Sequence, residues 1–314
     1  MLDIITQILL LVVGFVMLIK GADWFVEGAS KIADRFGIPQ LVIGLTIVAM
    51  GTSAPEAAVS ITSALKGSAD ITIGNVLGSN ILNVLIILGL TAVVRTIAVQ
   101  KSTIKYEIPF VIIISAVMAV LGLMDGTIKR WEGGVLWALF IVYMIYLFKM
   151  AKSGQAVTEE VAEDGKKDPI WKLLILVVIG VVLIVWGSDV TVDAATKLAT
   201  LFGMSERLIG LTIVALGTSL PELVTSVTAA IKGKADIAVG NIVGSNIFNI
   251  LFVVGTTALI TPVAYQANFM VDSIVAVATL VLLLVCVVRK KQLNRPCGII
   301  MLVGYVAYFI YLIQ

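Results

Sequence analysis

The stretch Gly51-Thr52-Ser53-Ala54-Pro55-Glu56 occurs a second time, 166 residues later, as Gly217-Thr218-Ser219-Leu220-Pro221-Glu222. The offset holds without a gap around both copies: when residues 41–83 are aligned with residues 207–249, 27 of the 43 pairs are identical. Each glutamate is the only charged residue within a long apolar stretch. Because a carboxylate at membrane depth costs about 2.5–3.5 kcal/mol, it usually marks a transport pathway or a binding site.

The composition is that of a membrane protein. Hydrophobic residues make up 60% of the chain and charged residues 13%, and the mean hydropathy is +1.09. These values are typical of a polytopic membrane protein. Histidine is absent, which removes the usual zinc ligand, the commonest proton shuttle and the base of most hydrolytic triads. The net charge of +2 gives no reason to expect nucleic acid as a partner.

Apolar runs and helix-end signals predict ten spanning helices. They cover residues 4–20 with a polar continuation, 39–66, 71–94, 107–124 and 132–149, then 170–200, 204–232, 237–260, 270–288 and 298–313. Five helices per half is an odd number, so the second half must enter the membrane upside down, as in inverted-repeat transporters. We therefore predict an all-α polytopic membrane protein with ten transmembrane helices in two inverted five-helix repeats. The repeats are residues 1–150 and 169–314, joined by a flexible cytoplasmic linker at 151–168 into one interlocked domain.

The distribution of lysine and arginine predicts the orientation. With the N-terminus outside, 16 of the 22 basic residues fall on the cytoplasmic side and 5 on the other. This bias favours both termini outside, in a plasma or inner membrane. Cys286 lies at the end of one predicted helix and Cys297 at the start of the next, and their spacing neither supports nor excludes a disulfide between them.

Charged residues near the helix ends also repeat with the 166-residue offset. Asp70 and Asp236 are predicted as N-caps of the third helix in each half. The continuation of the first helix carries three charged residues that recur in the second half: Asp23, Glu27 and Lys31, matched by Asp189, Asp193 and Lys197. We interpret them as structural ion pairs at the membrane interface, with a cation-attracting vestibule as the alternative.

The repeated hexapeptide places oxygen atoms on one side of a helix. Thr52 and Ser53 precede Glu56 by four and three residues, so the hydroxyls and the carboxylate share a face. Pro55 lacks an N–H group and crowds the carbonyl of Gly51, which predicts a bend and freed carbonyls. Broken backbone at this depth is tolerated where it lines a polar cavity.

The following helix adds a polar stripe. Asn75, Ser79 and Asn83 are spaced four residues apart, and the second copy carries Asn241, Ser245 and Asn249. Asn80 and Asn246 point off this stripe, which favours a packing or supporting role for them. Gathered together, the two copies offer carboxylate, amide, hydroxyl and carbonyl oxygens, the ligands that Ca²⁺ prefers. Two glutamates balance one Ca²⁺ or two Na⁺, which indicates that the two ions compete for one site.

The two G-T-S-x-P-E and G-N-x-x-G-S-N-x-x-N segments resemble the α-repeats of the cation/calcium exchanger superfamily, and of its sodium/calcium exchangers in particular. The resemblance implies ten helices, with helices 2, 3, 7 and 8 as a core across which helices 1 and 6 slide. We expect Ca²⁺ and Na⁺ to be cargo without a resident cofactor, and the lipid bilayer to surround the chain. A monomer is the simplest assembly, but the sequence leaves the oligomeric state open. Some relatives carry aspartate at the position of Asn249, which is asparagine here. This difference argues against coupling of Ca²⁺ transport to protons or to potassium ions.

Carried over position by position, the resemblance implies twelve ion-binding residues. They are Glu56 and Glu222 for both ions, Thr52, Ser53, Thr218 and Ser219 through hydroxyl or backbone oxygens, Ala49 and Ala215 through carbonyls, and Ser79, Asn83, Ser245 and Asn249 to complete the shell.

The sequence favours an antiporter that exchanges Na⁺ for Ca²⁺, and other functions are weighed against it. A proton/calcium antiporter of the same fold is the nearest alternative, opposed by the lack of histidine. A cation channel would need a continuous polar pore, whereas the polar residues here cluster at one depth. An intramembrane hydrolase lacks a G-x-S-x-G elbow and a histidine base. We therefore predict a transporter and not an enzyme.

Overall fold

The computed structural model describes residues 2–66, 69, 71–158, 168–204, 215–267 and 269–313. These residues form twelve helices, which we number in chain order. They are α1 (Leu2–Phe36), α2 (Gln40–Thr52), α3 (Ala54–Leu65), α4 (Ile71–Val94), α5 (Thr103–Asp125), α6 (Arg130–Thr158), α7 (Ile170–Leu201), α8 (Ala215–Thr218), α9 (Leu220–Ile231), α10 (Ala235–Ile260), α11 (Phe269–Val288) and α12 (Arg295–Ile313).

The helices confirm an all-helical membrane architecture. In the described part of the chain, eight helices are long and apolar enough to span a membrane, and the bent pair α2 and α3 makes a ninth. The remaining predicted span, 204–232, includes residues 205–214, which lie outside the described ranges. Ten spans in two inverted repeats therefore stay a prediction.

Two sequence predictions about local structure were wrong. Residues 151–158, predicted as part of the flexible linker, continue α6. Half of them, Ala151, Lys152, Gln155 and Ala156, are good helix formers, and the segment contains no proline that would end the helix. Asp236 does not cap α10, whose N-cap is Lys234. Its carboxylate instead accepts a hydrogen bond from Gln100 at 2.6 Å. Asp70 and residues 159–167 lie outside the described residues.

Short antiparallel strands join the two halves of the chain. Strand β1 (Ile97–Ala98) pairs with β4 (Gln292–Leu293), and β2 (Thr127–Ile128) pairs with β3 (Val263–Ala264). Each pair connects a loop of the first half to a loop of the second. Loops of the two halves are thus hydrogen-bonded to each other at two positions.

Two long helices, α1 and α7, pack against each other through glycines. A Cβ atom on Gly21 would lie 2.9 Å from the Gly180 carbonyl oxygen, and one on Gly187 would lie 3.0 Å from that of Gly14. Small residues at such crossings allow close helix approach. These glycines leave α1 and α7 a smooth contact surface.

Asp168 connects the C-terminal part of α1 to the start of α7. Its carboxylate binds Lys31 of α1 at 2.9 Å and Lys172 of α7 at 3.2 Å. Arg35 also donates a hydrogen bond to the Asp168 carbonyl. The two lysines lower the pKa of the Asp168 carboxyl group below its ordinary value, and the shared carboxylate ties α1 and α7 together.

The centre of the protein is formed by α4 and α10. In the most apolar part of α10, 94% of the residues are buried, and in that of α4, 78%. The corresponding shares in α6 and α12 are only 22% and 11%. Glycines bring α10 onto α2: a Cβ atom on Gly240 would lie 3.0 Å from the Gly44 backbone. The two polar stripes predicted from the sequence therefore lie on the two central helices.

Candidate cation site

Both repeated prolines lie at a break in a helix, as predicted. The bend between α2 and α3 is 50°, and Ser53 lies at the break with φ −84° and ψ 9°. Ser219 has nearly the same conformation between α8 and α9, with φ −93° and ψ 5°. Each break starts a new helix whose first turn contains the glutamate, Glu56 in α3 and Glu222 in α9. The partial positive charge of a helix N-terminus favours a carboxylate there.

The two glutamates are buried in the same part of the protein. Glu56 and Glu222 are each 1% exposed, and Ser53, three residues before Glu56, donates a hydrogen bond to the Glu222 carboxylate at 2.7 Å. No lysine or arginine is among the buried residues of the described ranges. The carboxylates are therefore held together in the protein interior without a basic partner, an arrangement that a bound cation would stabilise.

Asparagines on the central helices fix the backbone at each glutamate. Asn75 Nδ2 donates to the Glu56 carbonyl oxygen at 3.3 Å and to Ser60 Oγ at 3.0 Å. The equivalent donor in the second repeat is Asn241, which bonds to Glu222 at 3.4 Å and to Ser226 at 2.9 Å. Identical residues thus make identical bonds in both copies, and each anchors its glutamate helix to the neighbouring central helix.

A network of amides joins α4 to α10. The side-chain amides of Asn80 and Asn246 each donate to the other's carbonyl oxygen, at 3.4 and 3.3 Å. Asn83 donates to Asn246 Oδ1 at 3.0 Å, and Asn249 donates to Asn80 Oδ1 and to Ser79 Oγ, both at 3.2 Å. Asn80 and Asn246 thus have the packing role predicted for them, because their bonds orient the two stripe asparagines.

Five buried oxygens of the predicted site accept or donate no hydrogen bond within the described residues. They are Glu56 Oε2, Glu222 Oε2, Asn83 Oδ1, Asn249 Oδ1 and Ser219 Oγ. The first four form two pairs related by the 166-residue offset. Buried polar atoms in native proteins are nearly always paired, since leaving them unpaired costs free energy. Carboxylate, amide and hydroxyl oxygens are hard ligands of the kind that Ca²⁺ and Na⁺ take, so their number and type fit a cation.

Four of the other predicted residues take part in hydrogen bonds from one repeat to the other. Ser53 Oγ donates to Glu222 Oε1 at 2.7 Å, which links the first repeat to the carboxylate of the second. Thr52 Oγ1 donates to Asn241 Oδ1 at 3.0 Å, and Ser245 Oγ donates to the Ala49 carbonyl at 3.4 Å. The hydroxyl groups of Thr52, Ser53 and Ser245 thus have hydrogen-bond partners within the protein.

The remaining predicted residues lie in the second copy of the hexapeptide and just before it. Thr218 is partly buried at the end of α8, and Ala215 begins that short helix. The side chain of Ala215 lies outside the described part of the structure.

Two polar features were not predicted from the sequence. Ser188 of α7 donates to the Gly217 carbonyl at 2.8 Å, the carbonyl that Pro221 leaves free. Its counterpart in the first half is Ala22, so no repeat pattern indicated it. Glu107 is a further buried glutamate, bonded to Tyr146 between α5 and α6 beside a cavity of about 350 Å³. It is the first residue of the predicted helix 107–124, and no repeated motif indicated that it is buried.

The fold and this geometry define a polytopic membrane protein with a buried, oxygen-lined site shared by two sequence repeats. The family model described as sodium/calcium exchanger protein matches residues 6–149 and 172–314. The chain therefore belongs to the sodium/calcium exchanger family.

Individual relatives agree with this assignment over nearly the whole chain. The chain is 44% identical to the putative antiporter CaxA of Alkalimonas amylolytica, covering 94% of this chain and 95% of the relative. It is 31% identical to the sodium/calcium exchanger MaX1 of Methanosarcina acetivorans, covering 98% and 99%. A solved structure of the sodium-calcium exchanger NCX_Mj, soaked with zero Na⁺ and Ca²⁺, superimposes with a TM-score of 0.84 at 32% identity, covering 98% and 99% of the two chains.

Proposed function

We propose that this protein is a secondary active antiporter that exchanges Na⁺ for Ca²⁺ across a cell membrane by alternating access. The observation that carries the proposal is the set of repeat-related buried oxygens without a hydrogen-bond partner, two from glutamates and two from asparagines. Ca²⁺ takes six to eight oxygen ligands at about 2.3–2.6 Å. The five free oxygens supply most of such a shell, and the carbonyls at the two helix breaks can supply the rest.

The charge of the site supports competition between the two ions. Glu56 and Glu222 carry two negative charges when ionised, which one Ca²⁺ or two Na⁺ neutralise. Either ion set removes the repulsion between the buried carboxylates, and neither can bind fully while the other is present. This competition is what an exchanger requires, because a site that carried both ions together would not couple their movements in opposite directions.

Proton coupling is the second candidate, and the chemistry of the stripe opposes it. Asn83 and Asn249 have amides where a carboxylic acid could carry a proton, and the chain has no histidine. Only Glu56 and Glu222 remain as proton carriers in the site. The two couplings give opposite results in one assay.

The experiment is ⁴⁵Ca²⁺ uptake into proteoliposomes that contain the purified protein. We expect an outward Na⁺ gradient to drive uptake and an outward H⁺ gradient to leave it at background. Uptake driven by the H⁺ gradient alone would replace the Na⁺-coupled proposal with the proton-coupled one.

Variants of the glutamates test the site in the same assay. Glu56→Gln and Glu222→Gln should each abolish Ca²⁺ uptake, because one negative charge cannot balance a divalent ion. Glu107→Gln is the matched control: it neutralises an equally buried glutamate, 1% exposed, that lies outside the site. It should keep most of the uptake. Wild-type flux in either site variant would refute the assignment of that glutamate.

A further inference from the structure

Contacts that the two repeats could make equally well are made in only one of them. Ser53 binds the carboxylate of Glu222 at 2.7 Å, whereas the equivalent hydroxyl of Ser219 has no partner among the described residues. Thr52 binds Asn241 at 3.0 Å, whereas no hydrogen bond joins Thr218 to Asn75, both of which the structure describes. The residues are identical in the two copies, so the difference is conformational.

The same asymmetry occurs between the outer helix pair and the glutamate helices. Helix α1 packs along α9, whereas its counterpart α7 makes at most marginal contact with α3. An ion pair joins α1 to the end of α9. Lys232, just after α9, binds the carboxylate of Asp23 of α1 at 2.5 Å and also donates to the Asp23 backbone carbonyl oxygen at 2.9 Å.

The repeat offset identifies an equivalent pair that is not formed. Lys232 corresponds to Lys66 and Asp23 corresponds to Asp189. Lys66 follows α3, and Asp189 lies on α7. Both residues are exposed and described, and no ion pair joins them.

We infer that Asp23–Lys232 and Asp189–Lys66 are alternating positioning pairs of the transport cycle. Asp23–Lys232 closes one side of the protein in the conformation described above. Asp189–Lys66 closes the other side when the site faces the opposite way. The inference rests on the proposed antiport, because inverted repeats exchange their conformations when such a transporter changes its facing direction.

The geometry of α1 and α7 is suited to this exchange. The glycine crossings and the shared Asp168 contact hold the two helices together, so a shift that separates α1 from α9 would carry α7 with it. Partly exposed ion pairs are weak, with side chains here 29% and 39% exposed. A weak pair biases one facing state without preventing the change, as a reversible cycle requires.

Cross-linking tests whether the second pair ever forms. In a background with Cys286 and Cys297 replaced by serine, Asp23→Cys/Lys232→Cys and Asp189→Cys/Lys66→Cys are each treated with a short bis-methanethiosulfonate, which forms a reducible disulfide to each cysteine. Mass spectrometry of proteolysed protein then detects each link without reference to transport. We expect both pairs to cross-link, and each link to stop Ca²⁺ exchange until it is reduced. A 23–232 link without any 66–189 link, in Na⁺, in Ca²⁺ and without either ion, would overturn the inference.

Swapping the two side-chain charges tests whether the pair of Lys66 and Asp189 matters for the transport cycle. Lys66→Asp and Asp189→Lys should each slow exchange roughly fivefold, as expected for loss of a partly exposed ion pair. The double variant should recover near wild-type exchange. Asp193→Lys reverses an acid one turn away and should have little effect. Absence of recovery in the double variant would refute the pairing.

The wild-type protein separates this inference from the proposed function. Background uptake by the wild-type protein under a Na⁺ gradient refutes the proposed exchange. Normal wild-type uptake combined with a missing 66–189 link refutes the pair alone.

Discussion

At the scale of single residues, the two copies of the hexapeptide have the same chemistry but different partners. Ser53 donates to a buried carboxylate, and Ser219 keeps a buried hydroxyl without a partner in the described structure. A hydrogen bond to a charged group contributes about 1.5–3 kcal/mol. The two serines should therefore differ in what they contribute to the stability of this conformation.

We expect Ser53→Ala to lower the stability of the ion-free protein by about 1.5–3 kcal/mol, because Glu222 loses its donor. Ser219→Ala should be close to neutral or slightly stabilising, since it removes a hydroxyl that has no described partner. The measurement is thermal stability of the detergent-solubilised protein, followed by the loss of the monodisperse peak. Equal destabilisation by the two variants would contradict the asymmetry.

At the scale of helices, proline and glycine determine where the chain bends and where helices meet. Pro55 produced the predicted break, because it removes a backbone donor in any structure that contains it. The contact between α2 and α10 depends instead on Gly44 and Gly240 meeting backbone to backbone. The sequence shows these glycines, but their mutual contact requires the fold.

We expect Gly240→Ala to destabilise the protein by about 1–3 kcal/mol, since overpacking forces a close helix pair apart. The added Cβ atom would lie 3.0 Å from Gly44 and from the Leu41 carbonyl oxygen. Gly134→Ala in α6 is the control, because no described atom lies within 4 Å of its new Cβ atom. It should raise stability by up to about 1 kcal/mol. The same thermal assay compares them, and a neutral Gly240→Ala would show that α2 and α10 do not cross so closely.

At the scale of the whole molecule, the repeats and the loop charges together predict the orientation. Sixteen basic residues on one side against five on the other favour both termini outside. This orientation places the Asp23–Lys232 pair on the cytoplasmic side and the Lys66–Asp189 residues on the outer side. The site would then face outward in the conformation described above.

We expect an impermeant thiol reagent to label a cysteine at Gln314 in intact cells, in a background without the two native cysteines. A cysteine at Lys152, near the predicted cytoplasmic end of α6, should react only after permeabilisation. The reverse pattern would invert the orientation and exchange the sides assigned to the two ion pairs.

The sequence by itself determined the membrane architecture, the duplication and the helix breaks at the two prolines. It also determined that the two glutamates have no lysine or arginine near them in the chain to balance their charge. These properties are local: apolar length, a missing N–H group and the cost of burying a carboxylate act wherever the segment lies. Local signals also misled in places. Asp236 reads as an N-cap but bonds to Gln100, a residue 136 positions away, and residues 151–158 are polar yet helical.

Only the tertiary structure decided which of two identical sets of residues makes its contacts. Ser53 and Ser219, like Lys66 and Lys232, are identical residues at equivalent positions of the repeat, so the repeated motif does not favour one over the other. In the described structure α1 packs along α9, whereas α7 makes at most marginal contact with α3, and this packing accompanies the contacts of one copy only. The physical reason is that the repeat fixes the chemistry of each contact, whereas the packing of the whole molecule fixes which contact is formed.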